Sequence, residues 1–417
     1  LEAWSRNCFS SIRVLLLVAL SVRLVLALGL QIYLDQTPDR SFLIAGDAAG
    51  YWELASNIAA GEPYEIYDPP RQILRMPGFP VVLTIPIKLF EGSFLAARIW
   101  LALFGVLAVY LCYRLALELA DGKTAILAAW LVALHPVMAG FSVVILSETC
   151  FAASLLASLW SLQRIQAHPD SSLFPVMAGV LAAVATYMRP VWILFPLIWA
   201  VYQLFVQQRK TIVGRNLLLI LIGMALTLSP WVYRNYQVSG QFVVTSLWSG
   251  PSLYDGFNPN ATGASDMTFF ETDNLPATMS EYEVDQEYRQ RAWQFARKNP
   301  WRSFELAGLK AVRFWRPWPV AEEVSSPLIA WGIGGLNTIL YLVVLLAIWR
   351  FRNRSDLLFY TLTPLIYFAV IHMLFVGSLR YRLPAEYPLL ILAALFLSKS
   401  RNNREIDEQG AVRMNAK

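Results

Sequence analysis

Hydrophobic residues run along this chain in long blocks rather than in the two-residue alternation of a half-buried strand, and each block is near the length a helix needs to cross a bilayer. Such blocks occupy residues 11–34, 95–120, 124–142, 143–163, 172–187, 190–207, 215–233, 327–350, 357–377 and 383–398. They predict an all-α integral membrane protein with about ten transmembrane helices. The first block, VLLLVALSVRLVLALGLQIYL, is followed by no small-residue cleavage site and reads as a retained span. Polar residues gather in two long connections, 35–94 and 234–326. In the first, FPVVLTIPIKLF (79–90) is apolar, too short to cross and flanked by proline, which predicts a helix lying at the interface. In the second, YRQRAWQFARKNPWRSFELAGLKAVRFWRPW spaces apolar residues at the helical period with Arg, Lys and Trp between them, the composition of a helix on a membrane surface. The acidic run ETDNLPATMSEYEVDQEY in the same connection reads as a solvated surface.

Composition excludes a water-soluble fold of this size: of 417 residues 57% are hydrophobic and 15% charged. Charge then sets the orientation. With the N-terminus inside, the cytoplasmic ends collect Arg6, Arg13, Lys123, Arg164, Arg209, Lys210, Arg215, Arg350, Arg352, Arg354, Lys399, Arg401 and Arg404, against Arg189, Arg380 and Arg382 in the short external turns. The expectation is one polytopic domain over residues 1–400 in a plasma (inner) membrane, with both termini cytoplasmic and both long connections external. Residues 401–417 read as a charged, disordered cytoplasmic tail. Cys8, Cys112 and Cys150 lack metal-ligand spacing and read as buried thiols. Membrane lipid is an expected partner, and nucleic acid is not.

The three external arginines oppose the rule that the other basic residues obey. Arg189 stands in YMRPVW, and Arg380, Tyr381 and Arg382 are consecutive in GSLRYRLP. Three on one side point to an anion held at headgroup level, phosphate first among candidates. Acid occurs at the same level: Asp47 in GDAAGYWELASNIAAG, and Glu148 near the outer end of the fourth span, either at the substrate or paired with an arginine such as Arg98. Arg75 and Arg234 could reach phosphate or sugar, with Asn235 beside Arg234 reading equally as a helix cap. Tyr51 and Trp52 read as interfacial aromatics, and Arg23 as a residue paired inside the bundle. His135 and His372 also fall toward the outer side and could share a divalent metal with Glu148 or Asp47, although no spacing requires a cofactor. A carboxylate beside phosphate-binding arginines fits attack of an acceptor hydroxyl on a sugar carbon whose leaving group is a lipid phosphate. One base suffices there, because the phosphate departs without a proton donor.

In order along the chain, the acid followed by YWELASNIAAG, then RMPGFPVVL, ALHPVMAGFSVVILSE, MRP, SPWVYRNYQVSGQFV, ARKNPWRSF and RYRLPAEYPLL resemble the GT-C glycosyltransferases. The resemblance is to their polyprenyl-phosphate-dependent branch, which includes protein O-mannosyltransferases and the aminoarabinose transferase of lipid A. It implies a GT-C fold, with Asp47 as catalytic base and outer basic residues on the lipid phosphate. It also implies an inverting transfer from a polyprenyl-phosphate-linked sugar to a lipid, glycan or protein acceptor on the external side. The chain departs from the protein mannosyltransferases in having Ala48 after Asp47 where they carry a Glu. The competing reading is a transporter or flippase of a lipid-linked or amphiphilic anion. It accounts less well for charges gathered at one face and for the absence of a visible half-to-half repeat.

Overall fold

A computed structural model describes residues 2–38, 40–319 and 326–399, with side chains from Ile12 onward. Its helices are α1 (Glu2–Asp35), α2 (Ala45–Ala60), α3 (Gly78–Leu89), α4 (Phe94–Leu119), α5 (Gly122–Leu134), α6 (Pro136–Phe141), α7 (Glu148–Ala167), α8 (Leu173–Met188), α9 (Phe195–Val206) and α10 (Lys210–Ser239). After these come α11 (Ser249–Gly256), α12 (Thr268–Asp273), α13 (Glu281–Lys298), α14 (Pro300–Trp315), α15 (Pro327–Arg350), α16 (Ser355–Leu374), α17 (Leu379–Glu386) and α18 (Leu389–Lys399). No strand occurs among the described residues. The expected tail 401–417 lies outside them.

Among the described residues five helices are long and apolar enough to cross a bilayer: Ile12–Asp35 of α1, α4, α10, α15 and α16. Shorter apolar helices, among them α5, α8 and α18, accompany them, and the chain is a multi-pass membrane protein. Most expected segments fall on helices, but three are cut or shifted for identifiable reasons. The segment expected over 124–142 stops at Leu134, because Pro136 lacks an N–H and is tolerated only at the first position of a new helix, α6. The segment expected from 143 opens instead with a turn, so that Glu148 stands in the first turn of α7, where the helix dipole favours an acid. The last expected segment is divided into α17 and α18 by a turn at Tyr387 and Pro388.

α7 is the most enclosed helix, set against α4, α8 and α17, and this burial explains its serines: Ser158 accepts a hydrogen bond from Trp192 Nε1 at 3.1 Å, and Ser161 donates to the Ser158 carbonyl at 2.8 Å. α8 and α10 cross at Gly179 and Gly223. A Cβ at Gly179 would lie 2.1 Å from the Ile220 carbonyl oxygen, and one at Gly223 2.4 Å from that of Val176. Small residues let membrane helices approach to backbone contact in this way.

At one end of the bundle the two long connections pack on each other. α3 is the short apolar helix expected over 79–90; it buries Phe79, Leu83 and Ile87 and exposes Val81 and Leu89. The amphipathic stretch of the second connection is two helices, α13 and α14, because Pro300 ends the first and starts the second. α14 buries Leu306, Lys310 and Phe314 and exposes Trp301, Phe304 and Val312. The acidic run is not uniformly solvated. Asp285 is fully buried and accepts from the Gly250 backbone N–H at 2.7 Å, and the Glu281 carboxylate accepts from the backbone N–H groups of Gln72 (2.9 Å) and Ile73 (3.0 Å). These two acids are spent on orphan backbone donors, which burial requires to be paired.

Gly179→Val tests the crossing. Overpacking a backbone contact costs about 1–3 kcal/mol or more, so the variant is expected to lose several degrees of thermal unfolding midpoint in detergent; an unchanged midpoint contradicts the close approach.

Candidate functional site

Asp47 lies in the first turn of α2, and its neighbours arrive from four other places in the chain. Arg75, three residues before α3, donates through Nη1 to Asp47 Oδ1 at 2.9 Å. Arg380, near the start of α17, donates through Nη2 to Asp47 Oδ2 at 2.7 Å and through Nε to Glu148 Oε1. Arg189, at the end of α8, donates through Nη2 to the same Glu148 oxygen at 2.7 Å and through Nε to Ser147 Oγ at 3.1 Å. The result is one chain of alternating charge: Arg75, Asp47, Arg380, Glu148, Arg189. Tyr381 lies beside it, with the Arg189 and Arg380 guanidinium carbons 5.5 and 5.8 Å from its ring centre and the His372 ring stacked on it at 5.1 Å. Exposure is graded. The Glu148 side chain is 1% exposed, Arg189 and Arg380 15%, Arg75 17% and Asp47 34%, so Asp47 forms the open edge.

Each position is fixed by a local device. Arg75 stacks over Tyr51, 4.6 Å from its ring centre, and its carbonyl accepts from the Tyr64 hydroxyl at 3.1 Å. The loop that carries it is held by Glu281 on Gln72 and Ile73, by the Leu247 N–H on the Ile73 carbonyl (3.0 Å), and by Arg234, which donates to the carbonyls of Gln72 (2.6 Å) and Tyr64 (3.2 Å). The segment that carries Arg380 follows α16, whose last carbonyl, Leu374, accepts from Lys310 Nζ at 3.0 Å; Lys310 also donates to Gly256 (3.1 Å) and lies 3.6 Å from the Phe257 ring centre. Burial brings the Lys310 ammonium down to about 8, with Asp255 opposing.

Burial would raise the Asp47 carboxyl, but the charges of Arg75 and Arg380 and their hydrogen bonds win and hold it well below the usual carboxylate range. Burial likewise opposes the charge on Arg75 and on Arg380. Tyr51 and Asp47 outweigh it at Arg75, and Glu148 and Asp47 do so at Arg380, so both are more firmly protonated than usual. In this state Asp47 is an anion with almost no basicity.

Of the residues expected at a site, the fold brings together Asp47, Arg75, Glu148, Arg189, Arg380 and Tyr381. Arg234 stands apart, spent on loop carbonyls and stacked near Tyr64 and Trp231. Arg382 is buried and faces away: it donates to Glu386 (2.5 Å) and to the carbonyls of Phe314 (2.5 Å) and Arg316 (2.6 Å), tying α17 to the end of α14. Residues two apart on a helix point to nearly opposite sides, which separates it from Arg380. Glu148 pairs with Arg189 and Arg380 rather than with Arg98, which donates to Gln31 and to the carbonyls of Ser41 and Val143. Arg23 is inside the bundle as expected, but on the carbonyls of Ala19 and Ala133. Asn235 lies within α10 and donates to the Val243 carbonyl at 3.0 Å, while Gly240 caps the helix.

His135, His372 and Glu148 do not converge as metal ligands. His135 Nδ1 accepts from the Met138 N–H, His372 Nδ1 faces the Phe368 carbonyl at 2.8 Å, and Glu148 is occupied by two arginines. Among the described residues no group of three or more His, Cys, Asp or Glu could hold a metal ion. Nothing in the sequence distinguishes Ser147, Tyr64 or Glu281 as site residues. Ser147 is visible there only as the neighbour of Glu148, and Glu281 only as one of several acids in a polar run.

Residues 70–233, which include Arg75, Glu148 and Arg189, match the family model described as dolichyl-phosphate-mannose-protein mannosyltransferase. The fold is similar to that of the oligosaccharyltransferase AglB of Archaeoglobus fulgidus in complex with an inhibitory peptide and a dolichol-phosphate: 16% identity over 96% of this chain and 51% of that one, TM-score 0.57. This is the GT-C glycosyltransferase fold. A second GT-C structure, apo ArnT of Cupriavidus metallidurans, matches at 17% identity over 97% of this chain and 62% of its own, TM-score 0.53. The chain spans about half the length of the archaeal GT-C enzyme. No curated protein matches it.

Two outcomes test the charge chain. Glu148→Gln leaves two poorly hydrated guanidinium groups facing a neutral amide, which is expected to cost about 3 kcal/mol and to lower the unfolding midpoint; an unchanged midpoint contradicts the pairing. Asp47 ionises below the ordinary range in the folded chain, so the stability it contributes is complete above about pH 4 and is lost as pH falls through its lowered value. Arg75→Gln is expected to move that acid limb of thermal unfolding upward in pH.

Proposed function

We propose that this chain is a membrane glycosyltransferase that moves one sugar from a polyprenyl-phosphate donor to an acceptor on the extracytoplasmic side, inverting the anomeric carbon, with Asp47 as base. The observation that carries the reading is the pairing of a part-exposed carboxylate, Asp47, with two arginines, Arg75 and Arg380, at the open edge of the bundle. The GT-C fold and the match over residues 70–233 support it. So does the distribution of basic residues, with Lys123, Arg164, Lys210, Arg215 and Arg350 at the opposite helix ends.

The arginines answer the question of how so weak a base can act. A donor phosphate entering beside Asp47 competes for the same guanidinium donors, which bind phosphate in the forked geometry they use for a carboxylate. As they turn to the phosphate, the influence that depressed Asp47 is withdrawn and its basicity rises toward the acceptor hydroxyl. The hydroxyl oxygen then bonds to the anomeric carbon from the face opposite the leaving group. The carbon–oxygen bond to phosphate breaks with its electron pair on the phosphate, and the hydroxyl proton passes to Asp47. Arg75 and Arg380 stabilise the charge that grows on the departing oxygen. Glu148 and Arg189 hold Arg380 from behind. Among the described residues no metal-ligand set forms, and no step is assigned to a metal.

Purified protein in lipid, given radiolabelled polyprenyl-phosphate sugars, is expected to release polyprenyl phosphate. Asp47→Asn should slow that release by about 10²–10⁴ with the unfolding midpoint near normal. Arg380→Ala should raise the apparent donor KM as well as lower kcat. Wild-type turnover in Asp47→Asn removes it as the base, and tight donor binding with no release from any donor favours a transporter.

A further inference from the structure

Beside the Arg75 loop, residues 69–71 face the segments that lead into α11 and α13 across a cleft of about 150 Å³. The volume is many times that of one ordered water yet well below the ~300–1,000 Å³ of a drug-sized site, so the cleft suits one small unit of a larger molecule. Its walls are stiff: Pro69 and Pro70 on one side, Pro251 and Pro276 with Trp248 on the other. Its basic group is Arg71, beside Ser280 and Glu281. The Arg71 guanidinium lies 4.3 Å from the Phe270 ring centre, and Phe270 in turn packs on Trp248 at 5.2 Å. The Arg71 backbone pairs with Ile66 in both directions, so the side chain is not needed to hold the loop.

The Arg71 guanidinium makes no hydrogen bond or ion pair among the described residues. Glu281 lines the same cleft, but its two oxygens already accept from the backbone N–H groups of Gln72 and Ile73. Arg71 is therefore stacked, oriented and left with unused donors. It precedes Arg75, the partner of Asp47, by four residues, a span of at most about 14 Å of extended chain.

We propose that this cleft is an acceptor subsite that holds one sugar ring of a carbohydrate, its apolar face against Trp248 and the prolines and its hydroxyl or carboxylate oxygens on Arg71. Aromatic and proline walls supply rigid apolar contact to a ring, and a guanidinium supplies forked donors to vicinal oxygens. The inference rests on the transferase reading above, and turns the part of the second connection that contains Pro276 and Glu281 from a surface into one wall of a binding site.

The experiment is equilibrium binding of methyl glucoside and methyl glucuronide to the full chain in lipid nanodiscs. The wild type should bind at least one of them, the glucuronide more tightly if a carboxylate is the preferred group. Arg71→Ala should weaken binding about tenfold or more, the loss of a hydrogen bond to a charged group, and Arg71→Lys, which keeps charge but not the fork, should fall between. Asp47→Asn should lose donor turnover yet bind the glycosides as the wild type does, which separates this site from the base. The proposal is overturned if Arg71→Ala, or Arg71→Lys should the alanine variant not fold, binds as tightly as the wild type. It is equally overturned if the wild type binds neither glycoside, and binding of a short proline-flanked peptide in their place assigns the cleft to a polypeptide.

Discussion

Arg380 holds the candidate site together. It reaches two carboxylates at once, Asp47 on α2 and Glu148 at the head of α7, and thereby joins the first long connection to the most enclosed helix of the bundle. Glu148 is almost wholly out of solvent, and a buried carboxylate is tolerable only when paired. Its two arginines are therefore obligatory, and wherever they go their other contacts must follow. Arg189 fixes the end of α8 beside Ser147, and Arg380 delivers a second guanidinium nitrogen to the open edge.

Around this chain of charge, four further charged side chains act as scaffolding. Arg234 and Glu281 grip the Arg75 loop from α10 and α13, one through carbonyls and the other through N–H groups. Lys310 and Arg382 do the corresponding work for α17, binding the end of α16 and the end of α14. In each case a charged side chain is used for its reach and its donors or acceptors, and none of the four touches Asp47.

The class of fold was legible because apolar blocks of bilayer length leave few alternatives, and most helices fall where the blocks do. The departures have local causes. Pro136 and Pro388 interrupt blocks whose hydropathy continues through them, and apolar residues 143–146 form a turn because α7 starts only at Glu148. Six of the residues expected at a site converge, because each lies at a helix end or in a connection on the same side. Arg382 shows the limit of such reading. It is two residues from Arg380 with the same chemistry, and only the helical rotation of α17 sends one to Asp47 and the other to the carbonyls of Phe314 and Arg316. Glu281 and Asp285 illustrate the same limit for acids, since nothing in a run of carboxylates reveals which will meet an orphan backbone donor.

Three guanidinium groups and two carboxylates leave the alternating chain with one positive charge in excess. A phosphodiester carries one negative charge, so on the proposed reaction the occupied site is electrically neutral. It stays neutral through bond cleavage, because Asp47 gains a proton as the departing phosphate gains its second negative charge. Neutrality ends when that proton passes to water. The remaining surplus is then negative, since a phosphate monoester carries about −1.5 to −2, and restored Asp47 reclaims its arginines. Deprotonation of the base is thereby also the event that loosens the product.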